Sequence, residues 1–248
     1  MMKMSLFVRA SIVAPLALAL AACGSEGGED INVLEGEPIA AIPAPEGTQW
    51  TSTASITEEG GNVLGNPDAP LKLVEYASHT CSACAFFSQT ASEPIKEYIA
   101  SGVVSYEMRN LIRDPIDLTI ARLVRCSTPE AHHALADQAW AAFNDIMAGA
   151  QQNSQAIQEA AIAQDFVGVA NATGLLEFFA ARGVSADQAS ACLADSEGVM
   201  EIAERSDAQA DELGINATPT FFLNGQELEE RQWDKLEPLL QRAGARTE

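Results

Sequence analysis

The feature that most limits what this chain can become is a short apolar run, Leu71-Lys-Leu-Val-Glu-Tyr76, with Cys81-Ser82-Ala83-Cys84 close behind it. The run alternates well enough for a central strand, and the pattern after it predicts a helix over 81–100. Pro94 should kink that helix, because its ring removes a backbone donor. Cys81 then stands at a helix N-terminus, where unpaired N–H groups carry partial positive charge. Such a site stabilises a thiolate, and the thiolate is the form that attacks disulfides. Cys81 is expected to be the exposed attacking sulfur. Cys84, one turn into the helix, is expected to be more buried and to close the disulfide. A structural disulfide or a zinc half-site would use the same motif, but zinc takes four ligands and the chain holds a single Cys-x-x-C. No metal and no organic cofactor is expected.

The remaining cysteines depend on where the chain goes. Lys3 and Arg9 flank an apolar run over 10–22 that ends in Leu20-Ala21-Ala22-Cys23. A membrane-spanning helix needs about 20 apolar residues, so this run is read as a targeting segment. Small residues before a cysteine resemble the bacterial lipobox. Residues 1–22 are therefore expected to be a signal peptide and Cys23 to be lipidated, anchoring the protein to a membrane of the periplasm or cell envelope. An ordinary secretory signal with Cys23 incidental is the alternative. Residues 23–49, rich in Gly, Glu, Pro and Ala, read as a flexible tether. Setting Cys23 aside leaves Cys81, Cys84, Cys126 and Cys192. In an oxidising compartment an even number suggests pairing, and the Cys81–Cys84 pair leaves Cys126 with Cys192, either bonded or as two buried thiols. The formal charge of −21 repels phosphate backbones and excludes nucleic acid as a partner.

The folded part is expected from Trp50. Strands are predicted over 51–58, 62–64 and 103–108, and helices near 116–126, 129–148, 153–164, 173–182, 185–194 and 197–213. A strand over 219–223, an Asn224-Gly225 hairpin turn, a strand over 226–228 and a helix over 231–243 complete the pattern. This α/β order divides the chain into a first part (50–114), a helical insertion (115–214) and a second part (215–248). Trp140, Phe143, Phe178 and Phe179 read as core of the insertion, and Trp233 and Leu236 as the buried face of the last helix. His132 and His133 read as a solvated helix face, and His79 as a solvated loop residue.

Ile215-Asn-Ala-Thr-Pro-Thr-Phe-Phe-Leu-Asn-Gly225 puts a proline at the start of a strand, a candidate cis bond. Together with strand–CxxC–helix and the helical insertion, this segment resembles the DsbA-like thiol:disulfide oxidoreductases over roughly residues 50–245. The resemblance implies a thioredoxin fold with an inserted α-helical subdomain. It implies that Pro219 is the cis-proline, that the Thr218–Pro219 loop lies against the sulfurs and binds substrate beside Ser82 and Ala83, and that Glu75 is the acidic residue beneath the site. A carboxylate in an apolar strand is costly, and burial would raise its pKa and suit it to exchange a proton with Cys84. Glu75 could instead point to solvent or pair with Lys72. Ser82-Ala83 departs from the Pro-His of the best-known oxidases and the Gly-Pro of thioredoxin, which predicts a less oxidising disulfide. The activity implied is disulfide exchange with exported, cysteine-bearing proteins, as an oxidase restored by a membrane redox partner. A reductase or isomerase kept reduced by a membrane donor is the alternative. A non-enzymatic binding or metal-delivery protein is the reading from another class.

Overall fold

The computed structural model describes residues 35–247; the expected signal peptide and Cys23 lie outside the described residues. Six strands, β1 (Ala54–Ile56), β2 (Asn62–Gly65), β3 (Leu71–Ala77), β4 (Val104–Asn110), β5 (Thr220–Leu223) and β6 (Gln226–Leu228), form one sheet in the order β1-β2-β4-β3-β5-β6. Only β3 and β4 run parallel, and the crossover between them is α1 (Ser82–Ala100). β3 is central and buried along nearly its whole length, with Lys72 its exposed residue. That is why its sequence is almost continuously apolar. Leu71, Leu73 and Glu75 share one face by the period of two.

Between β4 and β5 the chain leaves the sheet through α2 (Pro115–Arg125), α3 (Pro129–Ala141), α4 (Phe143–Gln152), α5 (Ser154–Ile162), α6 (Phe166–Thr173), α7 (Leu175–Ala180), α8 (Ala186–Ala194) and α9 (Ser196–Leu213). After β6 it closes with α10 (Trp233–Arg242). Two main cores result. One joins Cys81, Cys84, Ala85 and Met108 to the inserted helices through Leu123, Trp140, Leu175 and Phe179. The other packs Leu73, Phe221 and Leu223 of the sheet against Phe87 and Ile99 of α1 and Trp233, Leu236 and Leu240 of α10.

Several boundaries differ from expectation. The helix predicted over 129–148 is two helices that meet at Ala142. The strand predicted over 51–58 is a 3-10 turn at Trp50–Ser52 and the short β1. The helix α6 begins where Asp165 accepts the Gly168 N–H, a cap that composition alone hides among alanines. Part of the expected tether is held down. The Gly36 and Ile39 N–H groups donate to the carbonyls of Arg242 and Gly244, the Ile42 N–H donates to the Ser101 carbonyl, and the Trp50 indole donates back to Ile42.

Cys126 and Cys192 are disulfide-bonded, with Cα atoms 6.0 Å apart, joining the end of α2 to α8. Closing a loop of 66 residues constrains the unfolded chain by roughly 4 kcal/mol in the loop-entropy account. Replacing both cysteines by alanine should lower the unfolding free energy by about that amount in urea titrations. A loss below about 1 kcal/mol would show that the bond does little to restrict the unfolded chain.

Candidate active site

Cys81 is the N-cap of α1, and no side chain caps the first turn. The first-turn N–H groups are therefore left for the sulfur, and those of Ala83 and Cys84 help stabilise its thiolate. The loop before it is held by α2. Asp114, the N-cap of α2 ahead of Pro115, also accepts the Thr80 hydroxyl at 2.5 Å. The fully buried Asp117 accepts the N–H groups of His79 at 2.8 Å and Arg113 at 3.0 Å. Thus the inserted helices fix the strand-to-helix turn that carries Cys81.

From the other side comes the Thr218–Pro219 loop, whose peptide bond is cis. The Cys81 thiol donates to the Thr218 carbonyl at 3.3 Å. This contact leaves Cys81 only 5% exposed, so it is not the open sulfur expected, although Cys84, at 0%, is buried more deeply. The Cys84 thiol is the chief reason that the Cys81 pKa falls to about 5; the Thr218 side chain and the backbone N–H groups add to it against the cost of burial. The Cys84 thiol moves the other way. Burial raises its pKa far above the ordinary thiol range, and the hydrogen bond to Cys81 and the charge of Glu75 push in the same direction.

Glu75 lies beneath this pair, 1% exposed. The pairing with Lys72 considered above does not occur; the Tyr106 hydroxyl donates to Glu75 Oε2, while Oε1 has no partner. Burial raises the Glu75 pKa to about 8, with the Tyr106 bond opposing and the charges of Asp137 and Cys81 adding. Two cysteines and a carboxyl group therefore hold three different proton affinities. Such a set can present one thiolate, keep the second sulfur protonated, and hold a proton on a buried acid.

The histidines correct the sequence reading. His79 is 2% exposed, stacked on Trp140 with ring centroids 5.0 Å apart, and its Nδ1 lies 3.4 Å from Asp117. His132 and His133 are 1% and 7% exposed, because α3 packs against α1 and the β1–β2 edge rather than facing water. Sequence reasoning missed Asp117 and Tyr106. The Asp114-Pro115 pair is a legible helix start, but nothing local marks which strand tyrosine reaches Glu75.

A family model for thioredoxin matches residues 57–242, well over half of the chain. The chain belongs to the thioredoxin family. Among relatives of this thioredoxin-family protein is a candidate protein-disulfide oxidoreductase of Rickettsia bellii, 26% identical over 186 residues, covering 75% of this chain and 64% of that one. Another, from Rickettsia typhi, is 27% identical over 184 residues and covers 73% and 61%. The chain thus spans somewhat under two thirds of the length of these curated relatives. The crystal structure of a protein-disulfide isomerase from Novosphingobium aromaticivorans superposes with a TM-score of 0.68 at 27% identity, covering 73% of this chain and 96% of that one. The Wolbachia pipientis alpha-DsbA1 structure, at 21% identity and a TM-score of 0.61 over 76% of this chain and 93% of its own, shares the fold. Among the described residues no helix is long and apolar enough to cross a membrane.

Proposed function

We propose that this protein is a thiol:disulfide oxidoreductase that works as an oxidase of exported, cysteine-bearing proteins through Cys81 and Cys84. The observation that carries the reading is the split between the two sulfurs: Cys81 is held as a thiolate near pKa 5 by its buried neighbour Cys84. A protein that stabilises its reduced thiolate has an oxidising disulfide. In the oxidised protein a substrate thiolate attacks Cys81 Sγ, the Cys81–Cys84 bond breaks, and Cys84 leaves with the electron pair and takes a proton. Glu75, near pKa 8, is the group suited to supply that proton. The second substrate thiol, losing its proton, attacks the mixed disulfide; Cys81 leaves as the thiolate, and the substrate carries the new disulfide. Two electrons have moved from substrate to enzyme, and a membrane redox partner would remove them.

Substrate binding is assigned to the Thr218–Pro219 loop with Ser82 and Ala83. A cleft of about 420 Å³ lined by Leu111, Ile112, Arg113, Asn216, Ala217 and Thr218 lies beside that loop and suits an extended peptide segment. Export and lipid anchoring at Cys23 rest on the N-terminal sequence, and the Cys126–Cys192 bond fits an oxidising compartment. The isomerase reading is favoured by the name of the Novosphingobium structure. Equilibration against glutathione buffers separates these, with Cys81–Cys84 followed by mass of the alkylated forms. A potential near about −120 mV supports the oxidase, and one near about −180 mV the isomerase. A value near about −270 mV assigns the site to reduction, and the lack of any reversible couple removes the enzyme reading.

A further inference from the structure

With a pKa near 8, Glu75 holds a proton at neutral pH in the reduced protein, where Cys81 and Cys84 are not bonded to each other. Before it accepts a proton from Cys84 it must therefore lose its own, and after giving one to Cys84 it must be refilled. The front of the site is closed to that exchange. Cys81, Cys84 and Glu75 are 5%, 0% and 1% exposed, and the Thr218 carbonyl covers the Cys81 sulfur.

The polar contact of Glu75 on its other side is the Tyr106 hydroxyl, which donates to Oε2. Tyr106 also lines a cavity of about 20 Å³ between α1, α3 and the sheet, together with Ser88, Ser92, Lys96, His133 and Asp137. That volume admits about one water, and the wall carries the polar partners that a water needs. Unlike Glu75, both Tyr106 and Asp137 keep accessible surface, as do Ser92 and Lys96. Asp137, on the inserted helix α3, thus stands where the cavity meets solvent. The Ser88 and Ser92 hydroxyls each donate to its Oδ1 at 2.7 Å, which ties it to α1.

The charges around Asp137 leave it free for this work. Lys96 of α1 is paired with Glu93 at 2.7 Å. His133 of α3 donates from Nε2 to the Asn62 carbonyl at 3.0 Å, and burial lowers its pKa to about 4, so it is neutral. Asp137 lies near enough for its charge to raise the proton affinities of both Glu75 and Tyr106. Burial raises the pKa of Asp137 itself, opposed by Ser92, Ser88 and Lys96 and helped by Glu93.

We propose, resting on the reading of Glu75 as the proton partner of Cys84, that Asp137 is the port through which Glu75 exchanges its proton with solvent. Asp137 touches neither sulfur and acts through Glu75, which makes it a positioning residue. On the outward path the Glu75 carboxyl gives its proton to Tyr106 Oη while the Tyr106 proton passes to water in the cavity. That water passes one on to Asp137, and Asp137 to solvent; the inward path is the reverse. Burial and the Glu75 charge hold the Tyr106 hydroxyl far above its ordinary pKa, so it gives and takes a proton together and no tyrosinate accumulates.

The test follows the mixed disulfide that the reduced full-length protein forms with oxidised glutathione at pH 7. Its resolution is the step in which Cys84 loses a proton, read by acid quenching and mass. Asp137→Asn keeps an oxygen for Ser88 and Ser92 but removes the charge and the carboxyl proton. It should slow resolution about tenfold, less than the roughly 10²-fold expected for Glu75→Gln, because slower routes through the protein remain. Added imidazole, a small proton carrier, should restore the variant and leave the parent chain unchanged. Loss of the Asp137 charge also lowers the Glu75 pKa, whereas Tyr106→Phe raises it, and the infrared carboxyl band that Glu75→Gln removes reads both shifts. A greater share of ionised Glu75 would by itself speed resolution, so slowing in Asp137→Asn reports the path and not the proton affinity. Tyr106→Phe, compared with the parent at the pH where Glu75 is half ionised in each, should also be slowed about tenfold, which covers the case in which Asp137→Asn fails to fold. A parental or faster rate in Asp137→Asn, slowing that imidazole does not relieve, or a parental rate in Tyr106→Phe under that comparison overturns the proposal. A parental rate in Glu75→Gln removes Glu75 from the reaction and the port with it. A slowed Glu75→Gln beside a parental Asp137→Asn removes the port alone.

Discussion

Replacing Cys84 by alanine should stop turnover and leave a protein that becomes covalently attached to its substrate. Without Cys84 no Cys81–Cys84 disulfide exists to oxidise a substrate; in the reverse direction Cys81 still attacks a substrate disulfide, but Cys84, the neighbouring sulfur that would resolve the adduct toward reduced substrate, is gone. Loss of a group that acts as one unit with the nucleophile costs on the order of 10³-fold or more in rate. The same substitution removes the thiol that is the main support of the Cys81 thiolate, so the Cys81 pKa should rise from about 5. Two measurements check this. Incubation of the variant with a disulfide-bearing peptide should give a one-to-one adduct that reductant dissolves and that Cys81→Ser does not form. The thiolate absorbance of the reduced variant should titrate at higher pH than that of the parent chain. Near-parental turnover, or failure to form an adduct, would mean that the roles of the two cysteines are wrongly assigned.

The contrast between the sulfurs was legible because it is local. Three residues of spacing on a helix that follows an apolar strand put Cys81 at the end and Cys84 one turn in, whatever the rest of the chain does. The sheet was legible for the same reason, since β3 and β5 carry continuous apolar runs and the Asn224-Gly225 turn fixes the hairpin. The contact between Cys81 and the Thr218 carbonyl spans 137 residues and could be reached only through the family resemblance. It also buries a sulfur that helix position alone predicts to be open. Composition misled for His132 and His133 in an alanine-rich helix and for His79 in a loop, because a polar residue reads as solvated until the neighbouring layer is known. For His79 that layer is Trp140, which donates its own N–H to Ser78 at 3.0 Å and stacks on the imidazole. The division of 129–148 at Ala142 had no breaker to announce it, since neither Gly nor Pro stands there.

Glu75→Gln should slow the steps that move a proton to or from Cys84 by about 10²-fold, the usual contribution of a positioned acid–base group. It should also change how stability depends on pH. In the folded protein Glu75 holds its proton up to about pH 8, against an ordinary value of 4.5. Between those values the folded state binds a proton that the unfolded state does not, so Glu75 makes stability fall as pH rises through the window. Cys81 has the opposite sign. Its pKa is lowered from 9.0 to about 5, so over that range the folded state has lost a proton that the unfolded state keeps, and stability rises with pH. In the reduced protein the two slopes, each up to about 1.4 kcal/mol per pH unit, should nearly cancel between about pH 5 and 8. In the oxidised protein Cys81 does not titrate, and the falling Glu75 slope is opposed below about pH 6.5 by the rising slopes of His132 and His133, which burial holds unprotonated in the folded state. The histidines act alike in both redox forms, so urea unfolding at pH 5, 6, 7 and 8 should give an oxidised-minus-reduced stability difference that falls as pH rises, the signature of Cys81. The parent-minus-Glu75→Gln difference in the oxidised protein should likewise fall as pH rises, the signature of Glu75. An oxidised parent chain whose stability does not fall relative to Glu75→Gln over this range would mean that Glu75 is already ionised there, and Cys84 would then need a different proton donor.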